Sequence, residues 1–370
     1  MSWTERAAAL NHDASLLGQA RAPRDFDAKG ARGDLGGRSV VSFASNDYLG
    51  LSVHPAVIEA GRAALEQWGA GSGSARLIVG SRPVHSELEA ALAEWKDCEA
   101  ALLFPNGFTA NLGVLSTLGG PGTTIFSDEL NHASIVDGCR LSRADVRVFP
   151  HRDVAALEGM LAHSSRSIVV SDSVFSMDGD EALVDDLAEL CRRYDALLVI
   201  DEAHAVLGPD PTLTGVEHLR VGTLSKFLGS FGGFVAGKRE LIELLINRSR
   251  PFIFTTASSP ADAAAALAAL NVFRSEEGDR LRARLRAHVD RIATGHPSPI
   301  VPVVIGEAEA ALDASQRLLE RGLFVPAIRP PSVRVGTSRL RVTVSAAHTD
   351  DEISALANNL SALKLEEARG

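Results

Sequence analysis

From residue 83 onward the apolar positions fall into two alternating rhythms. Helical spacing runs over 83–95 and opens again at Asn106-Gly107, while short unbroken apolar runs stand at 100–104, 124–127, 146–149, 167–170 and 196–200. Runs of that length without polar alternation predict strands buried on both faces, as in a parallel sheet. Right-handed crossovers would lay the intervening helices over both faces. The pattern predicts an α/β fold with a mainly parallel sheet.

The two ends read differently. Residues 3–20 have helical spacing, RAPRDFDAKGARGDLGGRS is an arm and a turn, and VVSFASNDYLGLS is a strand followed by a polar turn. A helix starts at His54-Pro55 and runs to Trp68, with proline at a tolerated first-turn position. GAGSGSARLIVG follows no apolar strand, so it reads as a flexible loop rather than a dinucleotide site. After about residue 254 come helices over 260–273 and 276–294, a strand at 300–305, a helix over 310–321, a strand at 340–344 and a last helix opened by a Thr349/Glu352 capping box. The chain therefore divides into an arm (1–50), a large domain (51–255) and a smaller α+β C-terminal domain (256–370).

Bulk properties narrow the function. A chain of 370 residues exceeds one typical core, which agrees with two lobes. The net charge of −10 argues against general nucleic-acid binding, which needs a basic surface. Cys98, Cys139 and Cys191 lie far apart and form no CxxC, as expected of buried thiols in a reducing compartment and not of a zinc site. With charges among the first residues and no apolar stretch of membrane-spanning length, a cytoplasmic protein is expected.

Candidate chemistry gathers between Ala196 and Lys226. Ligands of open α/β sheets bind beyond the carboxyl ends of the strands, where the run 196–200 delivers Asp201 and His204 and the run 218–221 delivers Thr223, Ser225 and Lys226. An acid, an imidazole, hydroxyls and an amine at one edge suit pyridoxal phosphate, which takes a lysine for its Schiff base and an acid against its pyridine nitrogen. His132 follows the run 124–127, and Asp172 and Ser176 follow 167–170, so they reach the same edge; each also has a structural reading, as a satisfied histidine or as turn formers. PNGFTANLG would offer helix N-terminal amides near Gly107 to an anion. Asn46 is a turn former or a substrate contact, with local chemistry favouring the turn, and Arg21 and Arg24 read as solvated charges of the arm. DEAH at 201–204 is also a helicase signature, but the nearest phosphate-loop match, GGFVAGKR from Gly232, ends in Arg239 where Ser or Thr must bind magnesium, and it follows DEAH in the chain.

NDYLGLS, PNGFTANLG, NHASIVDG, VFSMDGD, VIDEAH and TLSK occur in that order, with AIRPPSVRVGTSRLRVTVSAAHT near the end. By these motifs the chain closely resembles the α-oxoamine synthases, pyridoxal-phosphate-dependent transferases of fold type I. The resemblance implies a homodimer with its sites at the subunit interface. It makes Lys226 the Schiff-base lysine, Asp201 the pyridine partner and His132 the residue stacked on the ring, with Gly107, Phe108, Ser176, His204 and Thr223 as further cofactor contacts. Arg21, Asn46, Ser332 and Arg341 stand where relatives contact substrate, Arg341 as carboxylate anchor. The implied reaction is the decarboxylating condensation of L-alanine with a pimeloyl thioester, pimeloyl-CoA or pimeloyl-ACP, on the route to biotin. The same family includes an activity on glycine and acetyl-CoA, the alternative; an alternative of another class is a catalytically silent interaction protein. Two features depart from the family pattern: a short segment between His204 and Lys226 without a Gly-Arg-Gly turn, and serine for threonine in RPPS.

Overall fold

The computed structural model describes residues 1–16, 22–208 and 210–367. Its centre is a seven-stranded sheet of Ala100–Phe104 (β1), Thr124–Asp128 (β2), Asp145–Phe149 (β3), Ser167–Asp172 (β4), Leu197–Asp201 (β5), His218–Thr223 (β6) and Gly233–Gly237 (β7). The spatial order is β1-β7-β6-β5-β4-β2-β3, parallel except where β7 runs antiparallel between β1 and β6. The five predicted runs and the run 218–221 are all strands of this sheet. GGFVAGKR supplies β7, whose backbone is paired on both sides and has no amides to offer a phosphate.

Successive residues of a strand point to opposite faces, and the apolar runs satisfy both. Val170 and Val199 pack with Val114, Leu115 and Ile135 from helices Gly107–Leu118 and Ala133–Ser142. Their chain neighbours Val169, Leu198 and Ile200 pack on the other face with Leu157 and Leu187 from helices Val154–Leu161 and Val184–Arg193. Each such buried aliphatic side chain contributes about 1.5–3 kcal/mol. The strand ends that carry polar groups are therefore fixed by apolar packing behind them.

A third apolar cluster joins Leu88 and Phe234 to Val342 and Leu356, so the C-terminal elements share a core with helix Pro83–Trp95 and the far side of β7. Ile300–Gly306, Ser338–Thr343 and Ala327–Ile328 form a three-stranded antiparallel sheet there. The arm is more ordered than a turn: Phe26–Lys29 and Arg32–Leu35 make a hairpin through Gly30 at φ 73°, and Ser39–Ser42 extends it. Leu323–Phe324 adds to that strand in parallel and Arg32 pairs with Glu352, tying the arm to the C-terminal part. Residues 76–80, expected as loop, form one wide helical turn. The first helix spans Trp3–Leu16. The capping box is formed, Thr349 N donating to Glu352 Oε2 at 2.7 Å and Glu352 N to Thr349 Oγ1 at 3.3 Å. Among the described residues no helix is long and apolar enough to cross a membrane, and the three cysteines are free.

Candidate active site

The carboxyl ends of β4, β5 and β6 bring the predicted polar groups together. Asp172 and Asp201 are register partners at the ends of β4 and β5. Lys226 follows β6 on a tight turn in which Gly229 N donates to Lys226 O at 2.9 Å. Gly229 sits at φ 61°, and a Cβ there would stand 2.2 Å from Ser52 N, so this turn requires glycine.

Two chains of hydrogen bonds set the side chains. In the first, Lys226 Nζ lies 2.8 Å from His204 Nε2, and His204 Nδ1 lies 2.5 Å from Tyr48 Oη. Tyr48 donates to Asn46 Oδ1 at 3.1 Å, and Arg341 Nη2 donates to the same oxygen at 3.2 Å. Asn46 is thus a member of the site and not only a turn former. Arg341 is further held by Ser176 O at 2.6 Å and Thr343 Oγ1 at 2.9 Å.

In the second chain, Asn111 Nδ2 donates to Asp201 Oδ2 at 2.6 Å and to Ser134 Oγ at 2.9 Å. Ser134 Oγ then has its proton for His132 Nδ1, 2.8 Å away, and Ser134 N donates to the same nitrogen at 3.3 Å. With Nδ1 accepting twice, this network assigns the neutral ring proton to Nε2. The backbone N–H of His132 donates to Asp172 Oδ2 at 2.7 Å, and Ala203 N donates to Asp201 Oδ1 at 2.9 Å.

Electrostatics fit an enclosed polar site. Burial pulls the Lys226 ammonium from 10.5 down to about 8, against the attraction of Asp201 and Asp172. Burial, with the nearby Asp201 charge, pushes the Asp172 carboxyl well above the usual range. Burial lowers His132 despite Asp201, and lowers His204 well below 6.5 with help from Lys226 and Arg341. Both imidazoles are therefore neutral at neutral pH.

An anion site adjoins these groups. Asn106 caps helix Gly107–Leu118 by accepting from Thr109 N at 2.9 Å, which leaves the first-turn amides of Gly107 and Phe108 pointing out of the helix. A Cβ on Gly107 would lie 3.5 Å from Thr223 Cβ, so that hydroxyl residue borders the same helix end. Thr223 Oγ1 and Ser225 Oγ are 2.7 Å apart. Phe108 meets His132 edge-on, with ring centroids 6.3 Å apart.

A family model for class I and II aminotransferases matches residues 38–360. Among curated proteins, the 8-amino-7-oxononanoate synthase of Anaeromyxobacter sp. strain K is 50% identical over 365 residues, covering 92% of each chain. That of Methylobacterium nodulans is 49% identical over 343 residues, 90% of this chain and 89% of its own. The chain belongs to the 8-amino-7-oxononanoate synthase family. Among solved structures, a serine palmitoyltransferase from S. paucimobilis with bound PLP superposes with TM-score 0.91 at 28% identity over 98% of each chain. The Francisella tularensis 8-amino-7-oxononanoate synthase superposes at 0.75 with 26% identity, over 89% of this chain and 99% of its own. Fold type I, the transferase class and pyridoxal 5'-phosphate as cofactor follow for this member of the family.

The synthase's own residues fit that cofactor. A buried amine of lowered pKa, a carboxylate fixed by two N–H donors, a ring-sized histidine and a capped helix end with free amides match its aldehyde, pyridine nitrogen, ring face and phosphate. Eleven of the twelve sequence-predicted site residues lie in the described structure; Arg21 is outside the described residues. Lys226, His204, Asn46 and Arg341 join one network and Asp201 and His132 the other, while Gly107, Phe108 and Thr223 border the helix end. Ser176 meets Arg341 through its carbonyl, and it lines a cavity together with Ser332. Tyr48, Asn111 and Ser134 were not singled out from the sequence. The one available signal was Asn111, a polar residue on a helix face whose other buried residues, Ala110, Gly113, Val114 and Leu115, are all non-polar.

Proposed function

We propose that this chain condenses L-alanine with a pimeloyl thioester, releasing carbon dioxide and free CoA or acyl carrier protein and forming 8-amino-7-oxononanoate for biotin synthesis. The observation that carries the assignment of roles is the Lys226–His204–Tyr48–Asn46–Arg341 network, which joins a buried amine of lowered pKa to a guanidinium across one site.

Pyridoxal phosphate supplies a protonated heterocycle that accepts the electron pair left at the alanine Cα when a proton or the carboxylate departs. Lys226 Nζ would hold the aldehyde carbon and Asp201 would keep the pyridine nitrogen cationic, while Asn111 and the Ala203 amide keep Asp201 aimed. His132 would stack on the ring, with its ring proton kept on Nε2 as a neutral donor. His204 and Ser176 would address the ring oxygen, and Gly107, Phe108 and Thr223 the phosphate. Arg341, held on three sides, pairs with the alanine carboxylate, while Asn46, Ser332 and Arg21 contact substrate. Lys226 would act as the base at Cα once the amino group of alanine has replaced it on the aldehyde; in the cofactor-free protein burial lowers its amine to about 8, which favours that exchange of protons.

The active unit is a homodimer. Ala75 bridges Thr256 and so sets the exposed Leu77, Ile78 and Val79 beside Phe254, itself 71% exposed. Phe252, two residues back, packs on Phe104 at the end of β1, so this apolar surface leads toward the site. A second copy is the occupant we assign to it.

Steady-state CoA release with alanine or glycine against pimeloyl-CoA or acetyl-CoA tests the substrate assignment. Alanine with pimeloyl-CoA gives the highest kcat/KM; a preference for glycine with acetyl-CoA overturns it.

A further inference from the structure

Beside the catalytic groups lies a cavity of about 400 Å³, within the range of small-molecule sites. It adjoins them through Asn131, next to His132, and through Ser176, whose carbonyl holds Arg341. Leu130, Met177 and Val333 give it an apolar lining, Ser332 a hydroxyl, and Arg334 and Arg339 two cations.

The two cations differ. Arg339 is buried and fixed, with Nε donating to Thr337 O at 3.0 Å and Nη1 paired to Asp178. Arg334 is 73% exposed in its side chain and, among the described residues, has a single ion pair, Nη2 to Glu129 Oε2 at 2.9 Å, with Glu129 itself part-exposed. An exposed pair of this kind is weak and exchanges readily. A guanidinium that can trade its partner, at the rim of an apolar cavity, suits a ligand with an aliphatic chain and a carboxylate at the far end. His151 cannot supply the same charge to the cavity, because its two nitrogens face Asp128 at 3.0 Å and Asp180 at 2.8 Å.

On the substrate reading above, we infer that the acyl chain of the thioester lies in this cavity and that Arg334 binds its distal carboxylate in exchange for Glu129. Arg334 is then the residue that distinguishes a dicarboxylic acyl group from a plain fatty acyl group.

The test compares pimeloyl-CoA with heptanoyl-CoA, the same chain length without the distal carboxylate, in the holoenzyme with alanine. KM is read for a thioester that turns over and Ki for one that does not. Arg334→Met raises the value for pimeloyl-CoA by at least about tenfold, the worth of one charge-assisted hydrogen bond, and leaves that for heptanoyl-CoA within about twofold. Arg334→Lys, which keeps the charge, recovers part of the loss. An equal effect on both thioesters would mean that Arg334 touches the CoA portion and would overturn the inference. So would an unchanged ratio in Arg334→Met with the ratio lost in Arg21→Met. A wild-type enzyme that releases no CoA from pimeloyl-CoA with alanine overturns the substrate reading itself, a separate result.

Discussion

Burial works on Lys226 in the direction its chemistry needs. Two acids nearby favour the ammonium, yet desolvation prevails and brings the pKa to about 8. The unfolded chain keeps this proton up to about pH 10.5 while the folded chain releases it near 8, so between those values the unfolded state binds more protons and stability rises with pH. The full effect is roughly 3 kcal/mol. Urea midpoints of the cofactor-free protein at pH 7.5 and 10 will show the wild type gaining on Lys226→Met as pH rises; parallel behaviour of the two proteins would show that Lys226 is not desolvated.

At the scale of elements, the short connection between β5 and β6 is held by charge. Lys96 Nζ sits 2.9 Å from Glu202 Oε2 and 2.8 Å from Asp210 Oδ1, Arg220 Nη1 is 2.6 Å from Glu202 Oε1, and Arg220 Nη2 donates to Pro211 O at 2.5 Å. Glu202 directly follows Asp201, so this buried clamp anchors both the loop and the strand end that presents Asp201. Glu202→Ala removes the carboxylate shared by two buried cations, leaving Lys96 with Asp210 and Arg220 with Pro211 O, and will cost about 3–5 kcal/mol by denaturant titration; replacing Lys96, Glu202 and Arg220 together by apolar residues will cost less. A loss below about 1 kcal/mol for Glu202→Ala would show that the clamp contributes little. None of this was legible in the sequence, where Lys96 and Arg220 are ordinary charges far apart in the chain. What was legible shares one cause: runs such as 167–170 and 196–200 are apolar on both faces because helices cover both. Residues just past such runs reach the ligand edge, so Asp201, His204 and Lys226 could be placed from pattern. β7 was missed because its glycines imitate a phosphate loop, although Gly233 is glycine for close packing, its Cβ position lying 2.4 Å from the Asn106 backbone. Tyr48 and Asn111 were missed because they act through long-range hydrogen bonds that periodicity does not report.

For the whole molecule, the apolar surface around Leu77, Ile78, Val79 and Phe254 predicts a dimer of twice 39.1 kDa by sedimentation, and Ile78→Asp with Val79→Asp will shift it toward monomer and reduce activity. A monomeric, fully active wild type would contradict that assembly. The arm, the sheet and the C-terminal elements bring Asn46, Lys226 and Arg341 from three distant parts of the chain into one site, and the reaction assigned to that site must remove the alanine carboxylate. Mass spectrometry of the product formed from carboxyl-labelled [1-¹³C]alanine and pimeloyl-CoA tests this most directly. The account predicts 8-amino-7-oxononanoate without label, labelled carbon dioxide in equal amount, and neither with Lys226→Ala; a condensation product that retains the label, or one formed undiminished by Lys226→Ala, would contradict it.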